Sequence, residues 1–427
     1  MIEKRRKELG NGIGFTILTD PKHKTNTISV NLMSRHTAET AAANAAVAFM
    51  IEDTCRKYPT VTEFSKRKGE LYGAGVTTGI VRLGDSSVIC TGANCIADKY
   101  ALNGEDITCQ TAELLFDCLT DPVTEENCGE AAFPEKQFLL KKQELIDNIS
   151  ADINEKRNFA LKNSGKIIYR NEPAGIPLKG EISDAEALTS AQVYKAYKEI
   201  LRTAKIEIVY VGNEISPECE ALIEKRALSV ERGDVYEHKT AVSPVKAEPE
   251  YKTDRLEVAQ SKMVIAYKTD ITDYGVSRVF TALLGGTAFS MLFKSVREKL
   301  SLCYYCSSSV NRKKGVVLID SGIENENIEA ARNEIFRQVE LAKNGEFTDE
   351  LLEKTKLLLT CALKAVHDSP HSTADWYINQ YLANEVITPE EAAEKMNAVT
   401  REQICEYAAS LKLDSVYVLT GKESGND

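Results

Sequence analysis

Histidines are the residues of this sequence best suited to hold a catalytic metal ion, because a neutral imidazole offers zinc a lone pair. His367 and His371 stand four residues apart, a spacing that would place both rings on one face of a helix. Pro370 lies between them and favours a helix end or a turn, so we interpret the two as solvated. We expect the remaining histidines to be exposed as well: His23, His36 and His238.

Cys303 and Cys306 form a C-x-x-C pattern that could serve redox or zinc chemistry. They fall in a predicted strand, in which residues three apart point to opposite faces. A redox pair also needs its first cysteine near a helix N-terminus, whereas here the predicted helix comes before it. We therefore expect structural cysteines. The total of 11 cysteines is odd and scattered, which indicates reduced thiols in a cytoplasm rather than a disulfide framework.

The overall composition disfavours several classes of partner. The chain has 427 residues and a net charge of -11, and acidic chains repel phosphate backbones, so we expect no nucleic-acid partner. No stretch approaches the roughly 18 apolar residues of a membrane helix, and the N-terminus lacks an apolar signal core. We expect no membrane partner and a cytoplasmic location.

The elements that would position these residues occur twice in the same order. A helix predicted over 37–56 precedes two strands joined by a hairpin at Gly84, and a later pair of strands is joined at Gly315. We predict an α+β fold of two homologous halves with mixed or antiparallel sheets covered by helices. The halves span residues 1–232 and 255–427, and the charged, proline-containing segment 233–254 is the predicted linker.

Two adjoining segments carry the most specific signature of the chain. They read LFKSVREK over residues 292–299 and LCYYCSS over residues 302–308. They resemble the LF-x-x-V-R-E-K-x-x-L-x-Y signature of the pitrilysin/insulinase metallopeptidase family. The LGG at residues 284–286 and the LYGA at residues 71–74 resemble further family stretches and occur in the right order.

The resemblance implies a clam-shell of two halves, each built from two similar α/β domains, that encloses a chamber for peptides. It also implies a zinc ion held by an H-x-x-E-H motif on the first long helix and by a later glutamate. The zinc would activate a water molecule for attack on an amide.

The residues at these positions do not match that motif. If Glu52 takes the glutamate place, Phe49 and Asp53 take the two histidine places; a shift by one residue gives Ala48 and Glu52 instead. We place the third ligand position at Lys142, whose ammonium group has no lone pair for a metal. We therefore expect no zinc and no other cofactor.

Arg297 and Tyr304 match the pair that, in catalytically competent relatives, holds the substrate backbone and helps to stabilise the oxyanion. A fixed positive charge and a neutral hydroxyl donor suit that role. Alternatively, Arg297 pairs with a carboxylate of its own helix and Tyr304 fills a sheet face.

A retained substrate-holding pair without zinc ligands predicts a non-catalytic subunit that binds or presents a peptide or an unfolded polypeptide. Its expected partner is a zinc-bearing homologous peptidase or a second copy of the chain. The chain also resembles bacterial homologues that lack the motif, some of which are associated with modification of elongation factor P. Two alternatives stay open: an active metalloendopeptidase with displaced metal ligands, and a purely structural subunit.

Overall fold

The computed structural model describes residues 2–127 and 129–421. The predicted halves also include Met1, Cys128 and residues 422–427, which lie outside the described residues. The strands are β1 (Glu3–Gly10), β2 (Ile13–Thr19), β3 (Thr25–Arg35), β4 (Gly75–Leu83), β5 (Ser86–Ile96), β6 (Glu125–Asn127), β7 (Glu130–Ala132), β8 (Lys205–Gly212), β9 (Glu250–Arg255), β10 (Ser261–Lys268), β11 (Cys303–Asn311), β12 (Val316–Ile323) and β13 (Lys412–Thr420).

Helices make up most of the remaining regular structure. They are α1 (Ala38–Met50), α2 (Val61–Glu70), α3 (Ile107–Thr120), α4 (Glu135–Ala151), α5 (Lys156–Ile168), α6 (Ile182–Ala187), α7 (Ser190–Thr203), α8 (Pro217–Leu228), α9 (Tyr274–Thr281), α10 (Ile328–Lys343), α11 (Asp349–Lys364), α12 (Pro370–Leu382), α13 (Pro389–Asn397) and α14 (Arg401–Ser410). Two further segments, Ala282–Gly286 and Phe293–Lys299, are π-helical.

The first compact unit contains residues 1–150, 176–239 and 366–386. Its six-stranded sheet has the order β1-β2-β8-β3-β5-β4, in which only β2 and β8 pair in parallel. One face of this sheet packs apolar side chains such as Phe15 and Val30 into a core with α1, α3 and α7. On the other face, α12 covers Met33 and Val209, so both faces of this part of the sheet are buried.

The second compact unit contains residues 151–175, 240–365 and 387–427. Its five-stranded sheet has the order β11-β12-β10-β13-β9, with β13 and β9 parallel and the other neighbours antiparallel. Helix α5 packs against β10 and β13, where it buries Ile167 against a core that includes Val264 and Tyr417.

The predicted α+β class and the two similar halves are confirmed. The order β4-β5-β3-β8-β2 in the first unit corresponds strand by strand to β11-β12-β10-β13-β9 in the second, with the same directions. Gly84 and Gly315 lie in the corresponding hairpins, and both have left-handed backbones, with φ of 58° and 62°. One detail needs correction: within the described residues each unit has one large sheet, so each half contains one such domain rather than two.

The predicted linker 233–254 is not a single separate segment. Residues up to Lys239 belong to the first unit, Thr240 and those after it belong to the second, and Glu250–Arg255 forms strand β9. Among the helices that the structure describes, none has both the length and the apolar character needed to cross a membrane.

Candidate functional site

The helix predicted to carry the positions of the zinc motif ends before the last of those positions. The sequence predicts a helix over 37–56, whereas α1 ends at Met50. Two side chains of α4 bind the chain beyond that end: Gln137 donates to Thr54 at 2.5 Å, and Lys141 donates to Asp53 at 2.9 Å. Beyond Met50 the chain forms a turn and bends, and these bonds to a distant helix favour that non-helical course, which local helix propensity does not predict.

Lys141 is the centre of a small ionic cluster. Its Nζ atom lies 2.9 Å from Asp53 Oδ2, 3.2 Å from Glu144 Oε2 and 3.9 Å from Glu52 Oε2. Burial alone would lower the pKa of Lys141, but the hydrogen bond to Asp53 and the two neighbouring carboxylates outweigh it and raise the pKa. For Glu52, burial outweighs the attraction of Lys141 and raises the pKa of the carboxyl group. Lys141 is therefore a stable cation at neutral pH.

This arrangement does not fit a zinc site of the family type. Phe49, in the last turn of α1, supplies no donor atom, and the carboxylates of Glu52 and Asp53 are already ion-paired with the Lys141 ammonium. A zinc ion would have to displace that cation and still find nitrogen or further oxygen ligands. Across the described parts of the chain, no group of three or more His, Cys, Asp and Glu side chains is arranged to hold a metal.

Lys142, predicted at the third ligand position, points elsewhere. Its ammonium donates to the carbonyl oxygens of Glu186 and Leu188, at 2.5 and 3.0 Å, where α6 gives way to α7. It is the preceding residue, Lys141, that contacts Glu52 and Asp53 at the predicted motif positions. The sequence alone does not show which of the two adjacent lysines faces Asp53, because that depends on how α4 is oriented about its own axis.

Two histidines predicted to be exposed are buried: His36 is 1% and His23 is 3% exposed. His36 Nε2 lies 3.2 Å from the Arg82 guanidinium, which also donates to the Ile176 carbonyl oxygen. Burial, together with the charge of Arg82, lowers the pKa of His36 to about 4. The imidazole is therefore neutral at pH 7 and can accept the hydrogen bond from Arg82. Loop position alone misled the prediction, because β4 supplies a partner for His36.

The other histidines also have local partners. His238 is half-buried and lies 2.8 Å from the hydroxyl of Ser86, while His367 stacks on Tyr377. His371 is exposed in the first turn of α12 and lies 3.3 Å from Asp375, so the predicted helix end at Pro370 is confirmed.

Arg297 lies in the π-helical turn Phe293–Lys299, where a helix was predicted over the whole of 288–300. The wider turn is closed by a hydrogen bond from the Leu300 amide to the Ser295 carbonyl oxygen at 3.1 Å. The Arg297 side chain is exposed, with its guanidinium 4.6 Å from the ring centre of Phe293. Among the described residues no carboxylate pairs with it, which disfavours the structural alternative for this arginine.

The buried carboxylate of Glu334 is hydrogen-bonded to the π-helical turn that carries Arg297. Ser295 donates to Glu334, and Gln338 and Arg337 donate to the same carboxylate, at 2.7 and 2.8 Å. Hydrogen bonding from Arg337, Ser295 and Gln338 outweighs burial and lowers the pKa of Glu334 to about 2. These bonds fix the backbone from which Arg297 projects.

Tyr304 is 65% exposed and belongs to β11, an edge strand of its sheet. The pairing with β12 shifts register between Cys303 and Tyr305, so Tyr304 is the extra residue of a β-bulge. A bulge turns a side chain away from the regular alternation of a strand, which explains why Tyr304 does not fill a sheet face. Both predicted substrate-binding residues thus lie in the second unit, and Phe49, Glu52, Asp53 and Lys142 lie in the first.

Comparison with known proteins supports the predicted resemblance to a peptidase family. Residues 187–359 match the peptidase M16 inactive domain. The chain is 26% identical over 425 residues to the probable inactive metalloprotease YmfF of Bacillus subtilis (strain 168), and the match covers 98% of both chains. Residues 187–359 of this chain are thus similar to the M16 peptidases. The predicted resemblance to the pitrilysin/insulinase metallopeptidases is confirmed.

Solved structures show the same fold. A conserved protein from Enterococcus faecalis V583 is 26% identical, with a TM-score of 0.88 over 99% of this chain and 100% of that one. A peptidase M16 inactive domain from Pseudomonas fluorescens is 15% identical, with a TM-score of 0.81 over 99% and 100% of the two chains.

Sequence reasoning missed the role of Lys141 in this chain. The spacing of Gln137 and Lys141, four residues apart, places both on one face of α4 and was the available signal. The bulge at Tyr304 had no comparable signal, because it contains neither glycine nor proline.

Proposed function

We propose that this chain is a non-catalytic subunit that binds a peptide or an unfolded polypeptide and presents it to a zinc-bearing homologous peptidase. The observation that carries the proposal is a contrast between two sets of residues. At the expected positions of the zinc motif, Lys141 forms ion pairs with Glu52 and Asp53. Arg297 and Tyr304, by contrast, expose a cation and a phenol to solvent.

The chemistry of this pair suits a polypeptide backbone. A guanidinium offers several donors to carbonyl oxygens, and a phenol donates or accepts one further hydrogen bond. Tyr304 also belongs to β11, whose outer edge has no neighbouring strand within the described sheet. An extended peptide could therefore pair with that edge while Arg297 and Tyr304 hold its carbonyl groups.

Three further features support a role without catalysis. The H-x-x-E-H sequence is absent, Lys141 is ion-paired with Asp53, and a relative over nearly the whole chain bears the name of a probable inactive metalloprotease. The alternative with displaced ligands would require a metal to compete with Lys141 for Asp53. We propose accordingly that zinc-dependent chemistry is supplied by the partner.

Peptide binding by the isolated chain tests the first part of the proposal. We expect fluorescence anisotropy to detect binding of labelled unfolded polypeptide, and Arg297→Ala with Tyr304→Phe to weaken it about tenfold or more, the loss of one charge-assisted bond. Arg255→Ala with Tyr251→Phe is the matched control, because both residues are exposed on β9, the opposite edge of the same sheet. Equal weakening by both double variants, or no binding at all, would refute the assignment.

A further inference from the structure

The β-bulge at Tyr304 changes the relation between two cysteines. Cys303 lies opposite Ile323, and Cys306 lies opposite Ser321 on the neighbouring strand β12. Ile323 and Ser321 are two residues apart, so their side chains share one face of the sheet and stand about 6.8 Å apart. Cys303 and Cys306 therefore lie on one face too, contrary to the expectation from regular alternation.

Both thiols are buried on this face. Cys303 is 8% and Cys306 is 4% exposed. The hydrogen bond between them lowers the pKa of Cys303, and the positive charge of Arg297 lowers it further against the opposing effect of burial. The same bond, together with burial, raises the pKa of Cys306. Because the positive charge of Arg297 acts on Cys303, we take Cys303 as the attacking thiol and Cys306 as the resolving thiol.

Two other pairs of thiols provide a comparison within the same chain. Cys55 and Cys118 also share a hydrogen bond, but both are 0% exposed inside the core of the first unit. Cys109 and Cys219 are in contact as well, yet burial raises the pKa of both thiols. Only at Cys303 does a lowered thiol pKa combine with a position on an edge strand, among the cysteines that the structure describes.

We propose that Cys303 and Cys306 are a reversible dithiol–disulfide pair that reacts with low-molecular-weight disulfides such as oxidised glutathione. The Cys303 thiolate attacks one sulfur of oxidised glutathione and releases the other half as a thiolate. Cys306 then loses its proton and attacks the sulfur of Cys303, which releases the second glutathione. Two protein thiols are oxidised, one glutathione disulfide is reduced, and a single protein disulfide forms.

The new bond would close a ring around the bulge. A disulfide needs the two Cα atoms within about 4.4–6.8 Å. The spacing of about 6.8 Å between Ser321 and Ile323, the residues paired with the two cysteines, lies at the upper limit of that range. Tyr304 lies inside the ring, so oxidation would fix the backbone that presents this phenol. The inference stands on the register of β11 and β12 and does not depend on the proposed function.

Peptide mapping of the full chain tests the proposal. The protein is equilibrated with rising ratios of oxidised to reduced glutathione, alkylated and cut with trypsin after Lys299 and Arg312. We expect the peptide 300–312, which holds both cysteines, to lose two hydrogen atoms at ratios where Cys55, Cys118, Cys109 and Cys219 remain reduced. In Cys306→Ser we expect Cys303 to retain one glutathione instead.

The exposed Cys361 serves as the accessibility control, because an exposed free thiol should take up glutathione. The proposal is overturned if peptide 300–312 stays reduced while Cys361 is modified, or if the buried pairs oxidise in step with it. If Cys306→Ser does not fold, the peptide map of the wild-type protein is sufficient to test the proposal.

Discussion

Lys141 Nζ lies 2.9 Å from Asp53 Oδ2 and thereby joins α4 to the chain just beyond the end of α1. Asp53 is predicted at one histidine place of the family zinc motif when Glu52 takes the glutamate place. An ammonium group at hydrogen-bond distance leaves that carboxylate neutralised by the protein itself. Glu52 and Asp53 thus have a structural role in this chain, and the stability of the first unit should depend on Lys141.

Replacing Lys141 by Met should destabilise the first unit. The partly buried Asp53 and Glu52 would lose their cation, and an uncompensated polar group of this kind costs about 1–3 kcal/mol. Urea unfolding measures the loss. Lys136→Met on the same helix is the control, because Lys136 is exposed, and it should change the free energy of unfolding far less. Equal effects of the two variants would contradict a structural role for Lys141.

The purified chain should contain zinc well below one ion per molecule. The reason is that Phe49, Asp53 and Lys141 offer no set of nitrogen and oxygen ligands free of a competing cation. Elemental analysis after exposure to zinc and removal of the excess measures the content. Stoichiometric zinc that disappears in Asp53→Ala would contradict this expectation.

Lowering the pH from 7 to 4 should weaken folding through His36. Its pKa is about 4 in the folded chain and about 6.5 when unfolded, so between these values the unfolded state binds more protons. The stabilising contribution is complete above pH 6.5 and is lost as the pH falls, by up to about 3 kcal/mol. His36→Gln should flatten the dependence in this window.

Glu334 provides an internal comparison in that titration. Its pKa of about 2 in the folded chain lies below its ordinary value, so its contribution is lost only as the pH falls below that ordinary value. Glu334→Gln should therefore leave the window from pH 4 to 6.5 largely unchanged. A flattening there by Glu334→Gln, and not by His36→Gln, would refute the assignment to His36.

Gly315→Ala should be strongly destabilising. A left-handed backbone costs about 1–2 kcal/mol for a residue with a Cβ atom, and here that atom would meet the Thr269 carbonyl oxygen at 2.1 Å. Gly104 also has a positive φ, of 69°, but nothing lies within 4 Å of an added Cβ. Gly104→Ala should therefore show the backbone cost alone. Thermal or urea unfolding of both variants compares the two contributions.

Much of the fold was predictable because its signals are local and periodic. The hairpin glycines Gly84 and Gly315, with the same order of strands and helices around them, were enough to predict two homologous halves. The segment 292–308 was likewise enough to predict the peptidase family.

The finer features depend on contacts between residues far apart in the sequence. The early end of α1 needs Gln137 and Lys141 from α4, and the burial of His36 needs Arg82 from β4. The shared face of Cys303 and Cys306 needs the register of β11 against β12. None of these partners can be identified from spacing within one element.

Peptide turnover by a reconstituted pair tests the central claim most directly. The chain is mixed with a zinc-bearing M16 homologue from the same cell, and association is followed separately from turnover. We expect turnover to rise on mixing, and Arg297→Ala with Tyr304→Phe to remove most of the gain without preventing association. If that double variant stimulates turnover as well as the wild type, or if no zinc-bearing homologue binds, the presenting role is contradicted.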